Sequence, residues 1–123
     1  MRLPANVYDT TCESRRVLDS VMNKWALLIL LLLATGVMRY NEFRREIKDI
    51  SHKMLTQTLR SLEAEGFVLR TVYPVIPPHV EYALTPACDR LIISMRELVS
   101  VVEDHVNRQH READSTTGTS NGL

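Results

Sequence analysis

Between Asn41 and Gly66 the chain alternates helix punctuation with helical apolar spacing, and this stretch restricts the fold more than any other. Asn41 is a favoured N-terminal cap, because its side-chain oxygen accepts from a backbone N–H that has no partner inside the helix. Phe43 and Ile47, four apart, then share one face of a short helix over 42–47. Lys48-Asp49-Ile50 makes a tight connection. Ser51 caps a second helix over 52–65, and Gly66 ends it. Leu55, Leu59 and Leu62 fall on one side of that helix, since each residue advances ~100° around the axis. Short helix, turn and capped helix is the layout of a helix-turn-helix.

The period changes after Gly66. Phe67–Tyr73 and Val80–Thr85 are rich in β-branched and aromatic residues. Between them, Pro74-Val-Ile-Pro-Pro-His79 cannot continue a central strand, because proline has no N–H to donate. A β-hairpin with a proline-stiffened tip is predicted, directly behind the second helix, where a wing would sit. Upstream, Thr11 caps a helix carrying Val17, Leu18 and Val21, and a second helix runs from Trp25 to Thr35 and stops at Gly36. Downstream, Thr85 as cap and Pro86 at the first helical position open a long helix. Its apolar stripe is Leu91, Ile92, Met95, Leu98, Val99, Val102 and Val106. The expected organisation is a flexible arm over 1–10, one mainly α domain with a small β-hairpin wing over 11–110, and a disordered tail over 111–123.

Composition narrows the function classes. The formal net charge is zero, so the chain does not coat nucleic acid by bulk charge. From Arg39 to Arg70, seven basic residues face five acidic ones, a mild local excess. Two cysteines are too few for a secreted disulfide scaffold, which favours a reduced, cytoplasmic setting. The apolar run Ala26–Ala34 is nine residues long, against about twenty for a membrane span. A phosphate-cradling glycine loop, a metalloprotease helix and a nucleophile elbow are all lacking, and the four histidines have no ligand spacing. The chain is therefore not expected to be an enzyme or to hold a cofactor or metal.

On the second helix, Lys53, Thr56, Gln57 and Arg60 cluster on an arc ~100° wide, away from the leucines. These residue types suit base edges: Lys and Arg for guanine, Gln for adenine, the Thr methyl for thymine. A helix fits the major groove, so such an arc could read a duplex while the leucines anchor it. A merely solvated face is the alternative. Arg70, Pro78 and His79 on the hairpin, and Arg39 and Asn41 at the start of the first helix, are candidate backbone contacts. Ser51 and His52, opening the second helix, complete the set.

Several strings, in order, resemble the HxlR branch of the MarR-like regulators. They are Asn23-Lys-Trp25, Arg39-Tyr-Asn-Glu-Phe43, Ile50-Ser-His-Lys-Met-Leu-Thr56, Thr58-Leu-Arg-Ser-Leu-Glu63, Gly66-Phe-Val68 and Pro77-Pro-His-Val-Glu-Tyr-Ala-Leu-Thr85. Asn23, Asp49 and Cys88 stand where that family usually has glycine. Of these, Asp49 tolerates a left-handed turn better than most residues. The resemblance implies a winged helix-turn-helix, a homodimer joined through terminal helices, transcriptional control, and a recognition helix carrying Lys53, Thr56, Gln57 and Arg60. Repression is the commoner mode there. A protein–protein module without DNA readout is the alternative function.

Some members of that family sense oxidants or electrophiles through an N-terminal cysteine, and Cys12 occupies the matching place. It lies at a helix start beside Arg15 and Arg16, features that favour the thiolate; a buried packing thiol is the other reading. Cys88 is expected to be packed. The stripe Leu91, Met95, Leu98, Val102 is longer than so small a domain needs. It is expected to meet the same helix of a second copy, although part of it could instead cover the Trp25–Thr35 helix. Two-fold symmetry would call for a near-palindromic operator.

Overall fold

The computed structural model describes residues 6–121, of which 116–121 are described as helical backbone only. The described elements are α1 (Glu13–Val21), α2 (Lys24–Leu33), β1 (Met38–Arg39), α3 (Tyr40–Glu46), α4 (His52–Ala64), β2 (Val68–Tyr73), β3 (His79–Leu84) and α5 (Asp89–Asn121). This is a mainly helical winged helix-turn-helix.

Helix starts follow side-chain chemistry, with three corrections to the expected caps. Asn23 accepts from the Ala26 amide at 2.9 Å and opens α2. Ser51 accepts from the Met54 amide at 3.0 Å and opens α4, as expected. Thr11 does not cap α1: its amide and hydroxyl both donate to Asp9 Oδ1, and Cys12 takes the cap position. Asn41 does not cap α3 either. That helix begins two residues earlier, with Arg39 at the cap and the Glu42 carboxylate accepting from the Arg39 amide at 3.1 Å. Thr85 makes no side-chain cap. Its hydroxyl donates to the Gly66 carbonyl, and Pro86–Cys88 form a 3₁₀ turn before α5. At the end of α4, Gly66 sits at φ +82, where a side chain is disfavoured, and Phe67 N–H reaches back to Leu62 O at 2.9 Å. Asp49 is not left-handed, since no non-glycine residue among those described has positive φ. The short turn is closed by Ile50 N–H to Ile47 O at 3.3 Å.

The sheet has the order β1-β3-β2 and is antiparallel throughout. The hairpin register runs from Val68 opposite Leu84 to Tyr73 opposite His79. β1, only two residues long, was not foreseen; Met38 pairs with Tyr82 and Arg39 with Glu81. The core gathers Ile29, Leu30, Phe43, Leu55 and Leu62, all at 0% exposure, and Phe43 meets Tyr82 edge-on at 5.9 Å.

The segments up to Ile92 and from Ile93 onward form two separate units. Along α5, Leu91 is half-buried and Met95 buried, while Leu98 and Val102 are about half exposed, at 48% and 52%. The backbone stays helical through Asn121, past Arg111, where the sequence places a disordered tail. Residues 1–5 of the expected arm and the last two of that tail lie outside the described residues. No helix among the described residues is long and apolar enough to cross a membrane.

Candidate nucleic-acid interface

The sides of α4 have separate duties. Leu55, Leu59 and Leu62 are buried, with Thr58, whose hydroxyl turns back to Met54 O at 2.7 Å. Lys53, Gln57 and Arg60 are exposed, and Thr56 is half-buried. At ~100° per residue, Lys53 and Arg60 occupy the middle of the outer arc, with Thr56 and Gln57 at its two edges.

Those edges face different surroundings. Thr56 and Arg60 line a surface cleft of about 310 Å³ together with Tyr40, Glu63 and Arg70 of β2. Gln57 lines a depression on the other side, with Asp19, Asn23 and Trp25. A further cleft of about 580 Å³ brings Arg39, Asn41 and Arg45 opposite Pro78 and His79 at the tip end of the wing. The fold thus gathers Arg39, Asn41, Pro78 and His79 in one place and Thr56, Arg60 and Arg70 in another. Tyr40 lies between, lining both clefts.

Three candidate residues are already engaged. The Ser51 hydroxyl oxygen is spent on the helix cap. His52 stacks on Tyr40 with ring centroids 5.7 Å apart, and its Nε2 meets Arg44. His79 stacks on Tyr73 at 4.6 Å and lies 3.5 Å from Glu81. A hydrogen bond to that same Glu81 raises the Tyr73 pKa.

Charge divides the surface further. Arg15, Arg16 and Lys24 each lie within ion-pair distance of a carboxylate: Asp19, Glu13 and Glu65, and Asp49 respectively. Among the described residues none of Arg39, Arg45, Lys53, Arg60 and Arg70 has such a neighbour. All five are exposed. A cation without an internal carboxylate gives up no ion pair when an external anion approaches it.

Sequence reasoning missed Tyr40, Arg44 and Arg45. Placing the α3 cap at Asn41 left Tyr40 outside the helix, whereas its real position in the first turn carries the ring to α4. The overlooked signal was Glu42, which stands three residues after Arg39, the spacing at which a Glu reaches back to a cap amide.

The cysteines differ in setting. Cys12 is half-buried at the α1 cap, and the backbone N–H groups of Asn6 first and then Ser14 hold its pKa below the ordinary thiol value. The expected help from arginine charge is not there. The Arg15 guanidinium is directed to Asp19 and to Val7 O, and that of Arg16 to glutamates. Cys88 is fully buried, with Sγ 3.0 Å from Phe67 O, and burial pushes its pKa up.

Comparison with known proteins places the chain in a family. Residues 20–110 match the HxlR-like helix-turn-helix family. The HTH-type transcriptional regulator YtfH of Escherichia coli (strain K12) is 43% identical over 98 residues, which is 80% of this chain and 78% of that protein. The solved transcriptional regulator ytfH from Salmonella typhimurium superposes with a TM-score of 0.79 at 37% identity, covering 90% of this chain and 99% of that one. The redox regulator HypR in its oxidized form gives a TM-score of 0.65 at 38% identity, covering 73% and 96%. The chain therefore belongs to the HxlR-like helix-turn-helix family and is a transcriptional regulator of the helix-turn-helix type.

Proposed function

We propose that this regulator represses transcription by binding, as a homodimer, a near-palindromic operator in duplex DNA. The outer arc of α4 enters the major groove, where Lys53, Gln57, Arg60 and Thr56 meet base edges. Arg39, Asn41 and Arg45, together with Pro78, His79 and Arg70 of the wing region, lie along the flanking backbone and fix register. The carrying observation is the contrast in charge pairing: among the described residues, Arg39, Arg45, Lys53, Arg60 and Arg70 lie beyond ion-pair distance of a carboxylate, while Arg15, Arg16 and Lys24 of α1 and α2 lie within it. Ser51 and His52 act by holding α4, since their polar atoms are engaged within the protein. The second copy is joined through the exposed part of the α5 stripe, Leu98 and Val102.

The signal is an oxidant at Cys12. Its half-buried, pKa-lowered thiol at the α1 cap and the likeness to the redox regulator HypR support this. Two Cys12 thiols, one from each protomer, would give up two electrons and two protons to a peroxide, which is reduced to water as the S–S bond forms. The bond would alter the spacing of the two α4 helices.

The test is selection of fragments from a random DNA pool by the full chain, followed by affinity measurements across a salt series. One enriched near-palindrome, bound with an affinity that falls steeply as salt rises, is expected. Absence of any enriched sequence, or salt-independent binding, would overturn DNA readout. A monomer at micromolar concentration by sedimentation would overturn the dimer. Equal operator binding by wild type and Cys12→Ser, before and after mild peroxide treatment, would remove the sensor.

A further inference from the structure

Tyr40 makes three polar contacts through a single oxygen. Its Oη lies 2.9 Å from His52 Nδ1, 3.2 Å from the His52 carbonyl oxygen and 3.2 Å from Thr56 Oγ1. His52 and Thr56 are four apart on α4 and so share a face, which is how one ring reaches both. On the far side of the imidazole, Arg44 Nη1 meets His52 Nε2.

Counting donors and acceptors orients the whole chain of contacts. A guanidinium only donates, so His52 Nε2 accepts and the neutral ring carries its proton on Nδ1. That Nδ1–H donates to Tyr40 Oη. A carbonyl only accepts, so the single phenolic proton of Tyr40 goes to His52 O. Oη then has one acceptor position left, and Thr56 can fill it only by donating its hydroxyl proton. The Thr56 proton is thereby directed inward, and its oxygen turns lone pairs outward, beside Arg60 in the cleft.

Resting on the reading of α4 as the helix that meets bases, we infer that Tyr40 is a specificity-determining positioning residue. It locks the Thr56 hydroxyl as an acceptor, so that this edge of α4 favours a base presenting an amino donor in the major groove. Adenine N6 and cytosine N4 present such a donor, whereas guanine and thymine present acceptors at the corresponding places. A threonine free to rotate its hydroxyl would not discriminate in this way.

The experiment compares wild type, Tyr40→Phe and Thr56→Val, each as the full chain, in selection from a random DNA pool with sequencing. Wild type should enrich adenine or cytosine on one strand by about fivefold at one position of each half-site, the scale of one net hydrogen bond. Tyr40→Phe keeps the ring that stacks on His52 but loses the oxygen. It should level that one position to within about twofold while leaving the other positions unchanged. A merely structural role would weaken all positions together. Thr56→Val should lose the same preference, and it decides the matter if Tyr40→Phe folds poorly. Selection by Tyr40→Phe identical to wild type, or retention of the preference by Thr56→Val, would overturn the inference. A wild-type protein that enriches no sequence would instead sink the reading of α4 itself.

Discussion

Helices α2 and α4 begin alike and present opposite remainders. Each is opened by a side-chain oxygen that accepts from the amide three residues on, Asn23 to Ala26 and Ser51 to Met54. Each buries a comb of apolar side chains: Ala26, Ile29, Leu30 and Leu33 in α2, and Leu55, Leu59 and Leu62 in α4. What is left over differs. After Lys24, α2 is apolar at every position, and Leu27, Leu28, Leu31 and Leu32 are half-buried. α4 leaves Lys53, Gln57 and Arg60 in solvent. A leftover leucine face offers nothing to a hydrogen-bonding partner, whereas a leftover polar arc tolerates water and is equally able to meet a duplex. The buried comb therefore says how a helix is held, and the remainder says what it is for.

The largest test of this contrast is in the combs. Leu30→Ala and Leu62→Ala should each cost about 2–5 kcal/mol in urea unfolding, because both side chains are fully buried. A loss well under about 1 kcal/mol at either site would mean that the two helices are not anchored in the same way.

Next comes the arc. Gln57→Ala and Arg60→Ala should each weaken binding to the selected operator by about 1–3 kcal/mol, measured by titration, if each reads a base. Their unfolding free energies should stay within about 0.5 kcal/mol of wild type. Loss of stability comparable to Leu62→Ala would turn the arc into part of the scaffold, and an equal loss on random DNA would assign the residue to phosphate.

The caps should be equivalent. Asn23→Ala and Ser51→Ala are each expected to lower stability by about 1 kcal/mol in the same urea experiment. The smallest effect belongs to the outer start of α2. Lys24 Nζ is 3.9 Å from Asp49 and 4.3 Å above the Trp25 ring, but the pair is largely exposed. Lys24→Met should change unfolding by no more than about 0.5 kcal/mol. A larger change would show that α2 also depends on its polar end.

Much of the domain is legible in the sequence. The α4 comb, its Ser51 cap, the stop at Gly66 and the hairpin flanking the proline-rich tip depend on spacing and on residues with narrow backbone preferences. Errors gathered where two local answers were chemically acceptable. Thr11 and Asn41 are both good capping types. Asp9 engages the first, and the reach of Glu42 to the Arg39 amide moves the α3 start away from the second. The candidate site was legible as residue types on one arc of α4. It was not legible as two clefts flanking Tyr40, nor as an arc whose Thr56 edge and Gln57 edge face different neighbours.

Sequence alone determined the order of elements and the inward and outward sides of α4, because helical periodicity and capping act over a few residues. Tertiary structure alone decided that Met38 and Arg39 form a strand, which exists only because Tyr82 and Glu81 lie alongside. It likewise decided that Tyr40 meets Thr56 across 16 positions and that Cys88 lies sealed against Phe67. A two-residue strand has no periodicity to read, and a hydrogen bond between distant side chains leaves no trace in the spacing of either one.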